Sequence, residues 1–168
     1  VLVKEISPNS TDFTAVGDLA YYVAGDSLFR TDGTSAGTIL LKAGLNRQWA
    51  FTPFKGLLFF LSQSNFRGHK EIWRSDGTPS GTFVLNTSAE FDTNILGTAG
   101  NYLYFSSSDP ATGKEIYRTD GSLSGTSILK DINPGPASSS GGHFTAVGDA
   151  LFFSADDGVG GTELWKSD

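Results

Sequence analysis

Arg47, Gln48 and Trp49 stand in succession, a planar cation, an amide and an indole. The set suits a sugar, whose apolar face can stack on the ring while its hydroxyls bond the guanidinium and the amide. A plainer account places Trp49 over one end of the core and Arg47 in water. It is the favoured one, because single exposed aromatics are ordinary on protein surfaces. Asn65, Phe66, Arg67, His69 and Lys70 make a second polar group. Arg67 and His69 are its ligand-binding candidates, set against the reading that a hairpin tip simply tolerates such residues.

Asp156, Asp157 and Gly158, with Glu163 after them, resemble a loose oxygen set for calcium. Calcium takes six to eight oxygens and the D-x-[DN]-x-[DN]-G spacing is missing, so Asp156 and Asp157 are weak metal candidates beside a plain Asp-Gly turn. Zinc is weaker still, with only His69 and His143 and no cysteine. No other cofactor is expected. Glu71, Glu115 and Glu163 recur two residues before Trp73, Tyr117 and Trp165, and so share a strand face with them. A ring of carboxylates is one reading; a scaffold salt bridge to Arg74, Arg118 and Lys166 or to a neighbouring strand is the favoured one. A hydrolase would need carboxylates such as Asp92 or Asp157 at a channel mouth. The chain has no nucleophile elbow, histidine-containing metal motif or phosphate-binding glycine loop. The reading is therefore non-catalytic.

Composition narrows the partners. The 168 residues carry a formal charge of −6, and the 12 basic residues form no run. Nucleic acid and anionic membrane are poor partners for such a surface. No apolar run approaches the roughly 18 residues that span a bilayer. Without cysteine the fold has no disulfide to lean on. An opening at Val1 is read as a processed product or a fragment. Asn9 and Asn86 lie in glycosylation sequons, of use only in a host that modifies them.

The elements that must position these residues come from a repeat. S-L-F-R-T-D-G-T (27 to 34), E-I-W-R-S-D-G-T (71 to 78), E-I-Y-R-T-D-G-S (115 to 122) and E-L-W-K-S-D (163 to 168) align without gaps. The period of about 44 residues fits one propeller blade. Each unit reads as four strands: a short first strand ending in a Gly-Asp turn (F-T-A-V-G-D at 13 to 18 and 144 to 149), a second with consecutive apolar residues, a third with the E-L-W segment, and a fourth after D-G-T-x-x-G-T. Consecutive apolar positions predict second strands covered on both faces. V-L-V-K-E-I at 1 to 6 matches S-I-L-K-D-I at 127 to 132, so the opening segment is expected to complete the last unit beside 163 to 166. The expected fold is an all-β, four-bladed β-propeller of four-stranded antiparallel blades, a single domain of repeats at about 13–50, 51–92, 93–143, and 144–168 with 1–12. A monomer follows if the ring closes, and otherwise a dimer. The joining loops 43–50, 87–93 and 133–143 share a rim with 24–26, 62–70, 107–114 and 155–162, where binding residues usually reside.

The E-L-W-K-S-D stretch, the D-G-T-x-x-G-T turns and the K-D-I-N-P-G strand end together resemble the bacterial ELWxxDGT repeat family. The resemblance spans essentially the whole chain. It departs in the first unit, where Ser27 and Phe29 replace glutamate and tryptophan. It implies long, secreted or surface-attached proteins with many such repeats, hence an extracellular place, and it implies no common activity. The expected function is a binding or adhesion module for glycans or a surface protein. The alternative is a structural spacer.

Overall fold

A computed structural model of the chain describes residues 2–5, 11–63, 69–85 and 92–167, without the side chains of residues 11 and 12. Its strands form four antiparallel sheets. The first holds β1 (Thr11–Val16), β2 (Leu19–Ala24), β3 (Ser27–Thr31) and β4 (Ile39–Lys42). The second holds β5 (Asn46–Phe54), β6 (Leu57–Gln63), β7 (Lys70–Ser75) and β8 (Phe83–Val84). The third holds β9 (Asn94–Ala99), β10 (Tyr102–Asp109), β11 (Gly113–Thr119) and β12 (Ser127–Lys130). The fourth has three strands among the described residues, β13 (Gly142–Val147), β14 (Ala150–Asp156) and β15 (Thr162–Lys166). Sequence order equals sheet order throughout.

The D-G-T-x-x-G-T motif is explained position by position. Asp32 Oδ1 accepts the backbone N–H of Thr34 at 2.9 Å and its hydroxyl at 2.7 Å. The same hydroxyl accepts Gly37 N–H at 2.9 Å. Thr38 then donates to Thr34 O at 2.6 Å and takes a hydrogen bond from Thr31 Oγ1 at 2.7 Å. Asp76 and Asp120 repeat the pattern. The first glycine has positive φ, 89° at Gly33 and 87° at Gly77, which disfavours any side chain. The second is required for space: a β-carbon on Gly37 would stand 2.0 Å from Asp32 Oδ1.

The chain divides into two compact units, Val1–Gly68 with Ile72–Val84, and His69–Glu71 with Leu85–Asp168. Each sheet has a front, carrying Tyr22 and Phe29 in the first, and a rear, carrying Tyr21 and Leu28, because side chains alternate along a strand. In the first unit the rear of the first sheet (Tyr21, Val23, Leu28) meets the front of the second (Leu58, Phe60, Trp73). In the second unit Tyr104 and Ile116 meet Leu151, Phe153 and Trp165 in the same way. Buried side chains of this size each stabilise by about 2 kcal/mol, so the sheets owe their order to this stacking. Two polar contacts recur with it. Tyr21 bonds Ser75, and Tyr104 donates to Ser167 Oγ at 3.2 Å. Lys42 lies over the Trp73 ring at 5.5 Å and Lys130 over Trp165 at 4.7 Å, fourth strand upon the next sheet's third.

Two expectations are corrected here. Residues 43–50 were expected as a loop, yet from Asn46 onward they belong to β5. That strand is bulged, with register breaks at Asn46/Gln48 and Trp49/Thr52 and left-handed backbone at Arg47 and Ala50. Ser140 and His143 take the same conformation ahead of Phe144 as Arg47 and Ala50 take ahead of Phe51. The positive φ angles are therefore a repeated bulge that bends the first strand. Second strands were expected to be covered on both faces. β14 instead alternates between half-buried and buried, as a strand with one covered face does.

The opening segment was expected beside β15. Residues 2–5 belong to no strand, and Lys4 Nζ donates to Thr38 O at 3.2 Å. Val3 and Lys4 line a hollow on the front of the first sheet with Phe13, Tyr22 and Thr31. Leu129 and Lys130 line the corresponding hollow on the fourth sheet with Phe153 and Ser167. The opening segment thus lies on the first sheet as β12 lies on the fourth.

Candidate functional site

The second unit gathers its loops at one rim. The 133–143 segment crosses both hairpins there: Lys114 N–H donates to Ser138 Oγ at 2.9 Å, Ser139 N–H to Lys114 O at 3.2 Å, and Asp156 N–H to Ser139 O at 2.8 Å. Glu115 is the anchor. Only 1% exposed, it accepts Ser139 N–H on Oε1 at 2.9 Å and Ile132 N–H on Oε2 at 3.3 Å. Burial pushes its carboxyl above the usual range, and these donors work against that shift. The expected salt bridge to Arg or Lys is replaced at Glu115 by backbone amides, because the strand end faces a returning loop and not a cation.

A cleft of 170 Å³ opens beside this anchor, lined by Ser106, Lys114, Glu115, Ser139, Ser140 and Gly141. Its hydroxyls and ammonium suit a hydroxylated ligand. Lys114 also reaches Asp92 at 3.1 Å, and Lys70 reaches the other oxygen of Asp92 at 2.5 Å. The hydrogen bond from Lys70, with Lys114 beside it, holds the Asp92 carboxyl below its ordinary value. Held between two lysines, Asp92 is a tie between segments. His143 Nδ1 lies 3.1 Å from Ser154 Oγ on the exposed strand pair β13–β14.

The remaining sequence candidates are dispersed. Arg47 is exposed, while Gln48 and Trp49 are half-buried on β5 in the first unit. Gln48 Nε2 donates to Leu45 O. Trp49 pairs across the ladder with Leu61. His69 is half-buried and counts with the second unit, whereas Arg67 lies outside the described residues. Asp156 Oδ1 accepts Gly158 N–H at 2.7 Å, and Asp157 Oδ1 accepts Val159 and Gly160 N–H at 2.9 and 3.1 Å. Those backbone donors lower the Asp157 carboxyl. Among the described residues no group of three or more His, Cys, Asp or Glu could hold a metal ion.

Sequence reasoning placed the 107–114 and 133–143 loops on one rim but did not single out Lys114 or Ser139 within them. The signal available was the length of 133–143, not its residue types. A comparison of the chain with protein-family models gives no match, and a search of curated proteins gives none either.

Proposed function

We propose that the chain is a non-catalytic extracellular binding module whose sheets are blades of a β-propeller, the final blade being completed by a strand of the V-L-V-K-E-I type. Glycans or a surface protein are its partners, taken at the rim of joining loops. The observation that carries this reading is the division of labour among polar residues. Those that recur, Asp32, Asp76, Asp120, Thr34, Thr78 and Glu115, are engaged in turns and loop anchors. Those that vary, such as Ser139 and Ser140, line the cleft beside Glu115. The resemblance to ELWxxDGT repeats supports the extracellular placement.

A glycan array probed with the recombinant chain tests it. Specific binding that disappears in Trp49→Ala supports sugar recognition through β5; specific binding that survives there and falls in Lys114→Ala assigns it to the cleft. Silence across the array favours the second reading, a spacer repeat of a larger bacterial surface protein. That reading draws support from Gln48 and Asp157, whose polar groups are already bonded to backbone.

A further inference from the structure

The two units build the same corner differently. In the first, Val23 pairs with Leu28, Leu45 N–H donates to Asp26 O at 2.7 Å, and Gln48 follows the left-handed Arg47. Val23, Leu28 and Leu45 are buried there as part of the core. In the second, Ser106 pairs with Ile116, Ser139 N–H donates to Lys114 O at 3.2 Å, and Gly141 follows the left-handed Ser140. Serines thus stand where the first unit has Val23 and Leu45, and a glycine stands where it has Gln48. The corner that is core in one unit is the 170 Å³ cleft of the other.

Stability does not ask for this exchange. Each serine forgoes apolar burial that the fold accommodates at the matching place, and a loss of that kind is characteristic of a surface kept for binding. Gly141 widens the opening further. A β-carbon there would stand 3.2 Å from Ile116 Cδ1 and 3.5 Å from Phe144 Cζ, crowding the cleft.

The groups left over define the ligand. The hydroxyls of Ser106 and Ser140 have no hydrogen-bond partner among the described residues, and each can both donate and accept. Lys114 Nζ gives a hydrogen to Asp92 Oδ2 at 3.1 Å and has others to give. Lys70 and Lys114 are matched by Asp92 and Glu115, so among these groups the charge cancels. A neutral molecule with adjacent hydroxyls, each giving one bond and taking another, meets that set. The space is below the roughly 300–1,000 Å³ of pockets that take drug-sized ligands, which limits the occupant to about one ring.

We infer that the cleft takes a single uncharged hexose ring at the end of a glycan, its adjacent hydroxyls shared among Ser106, Ser140 and Lys114. The inference rests on reading the chain as a glycan-binding module, and gives that reading a subsite and a ligand class. Acidic sugars fit less well, because their carboxylate has to compete with Asp92 for Lys114 and stand beside Glu115.

Titration of the isotopically labelled chain with the methyl glycosides of glucose, galactose, mannose and glucuronic acid, followed by amide NMR, tests it. A neutral hexoside should shift the Lys114, Ser139, Ser140 and Gly141 amides, and the glucuronide should bind about tenfold more weakly. Ser106→Val, which supplies the residue type of Val23, should raise the dissociation constant about tenfold while also raising the melting temperature. Gly141→Ala crowds the same space with a different atom and should weaken binding in the same way. A dissociation constant that neither variant changes, or shifts confined to the amides around Trp49, would overturn the cleft and keep the glycan reading. Tighter binding of the glucuronide would overturn the uncharged ligand. No shift with any of these sugars overturns the inference, and silence on the glycan array as well would take the glycan reading with it.

Discussion

The Asp76 carboxylate lies where a β-carbon on Gly81 would have to stand, 2.0 Å from each of its oxygens. Gly125 and Asp120 stand in the same relation, with the oxygens 2.1 and 2.3 Å from that point. The invariant spacing of the motif is thus a packing requirement between its first and sixth residues. Gly81→Ala should lower stability by about 2 kcal/mol, since Asp76 must leave its turn. Asp76→Ala alone should cost about 1 kcal/mol through the lost bonds to Thr78. The double variant should cost less than the sum, because the obstacle and the obstructed group vanish together. Denaturant melts of the four proteins measure the coupling.

Ser167 Oγ accepts two hydrogen bonds, from Leu151 N–H at 2.7 Å and from Tyr104 at 3.2 Å. Ser167→Ala leaves both donors buried and unmatched, and should cost about 2 kcal/mol, against about 1 kcal/mol for Tyr104→Phe. Thermal denaturation followed by near-ultraviolet circular dichroism should rank the two in that order.

Glu115 holds the 132–139 loop through the amides of Ile132 and Ser139. Glu115→Ala should speed hydrogen exchange at those amides by tenfold or more while the D-G-T turns keep their protection. Glu115→Gln retains one acceptor oxygen and should restore one amide of the two. Equal loss of protection across the domain would show that the loop does not open locally.

Acid should unfold the chain through its aspartates. Asp92 is lowered by the Lys70 hydrogen bond, Asp32 by the Thr34 hydroxyl and Asp157 by the Val159 amide; at Asp76 burial opposes but the Thr78 bonds prevail. A lowered carboxyl contributes stability that is complete above its unfolded value, about 3.9. That contribution disappears as pH falls through the folded value. Glu115, raised by burial, has the opposite sign: its favourable term is present below about 4.3 and is lost as pH rises through its folded value. With four groups against one, the melting temperature should drop on going from pH 5 to pH 3. Asp92→Asn should flatten the drop.

Much of the fold was legible in the sequence because the repeat fixes turns and strands together. The Asp-Gly turn, the apolar second strands and the E-L-W third strands all lie where the period puts them. The bulge at Arg47 and Ala50 was not legible, since neither residue type favours left-handed backbone and only the ladder register reveals it. The repeated glutamate was visible as a scaffold position, but at Glu115 the partners are backbone amides, which have no letter in the sequence. The cleft residues on the rim were harder still, because serines such as Ser139 and Ser140 read as filler until a cleft gathers them.

The tyrosine-to-serine hydrogen bonds come from the first and third sheets, and the second and fourth carry Phe59 and Phe152 at the tyrosine position. Neighbouring repeats are therefore not interchangeable: the chain keeps parity, odd and even. Replacing the second repeat by a copy of the first would set Tyr21 against a threonine in place of Ser75, and replacing the fourth by a copy of the third would do the same to Tyr104 in place of Ser167. Lengthening such an array, by gene duplication or at the bench, should succeed in pairs and falter in singles.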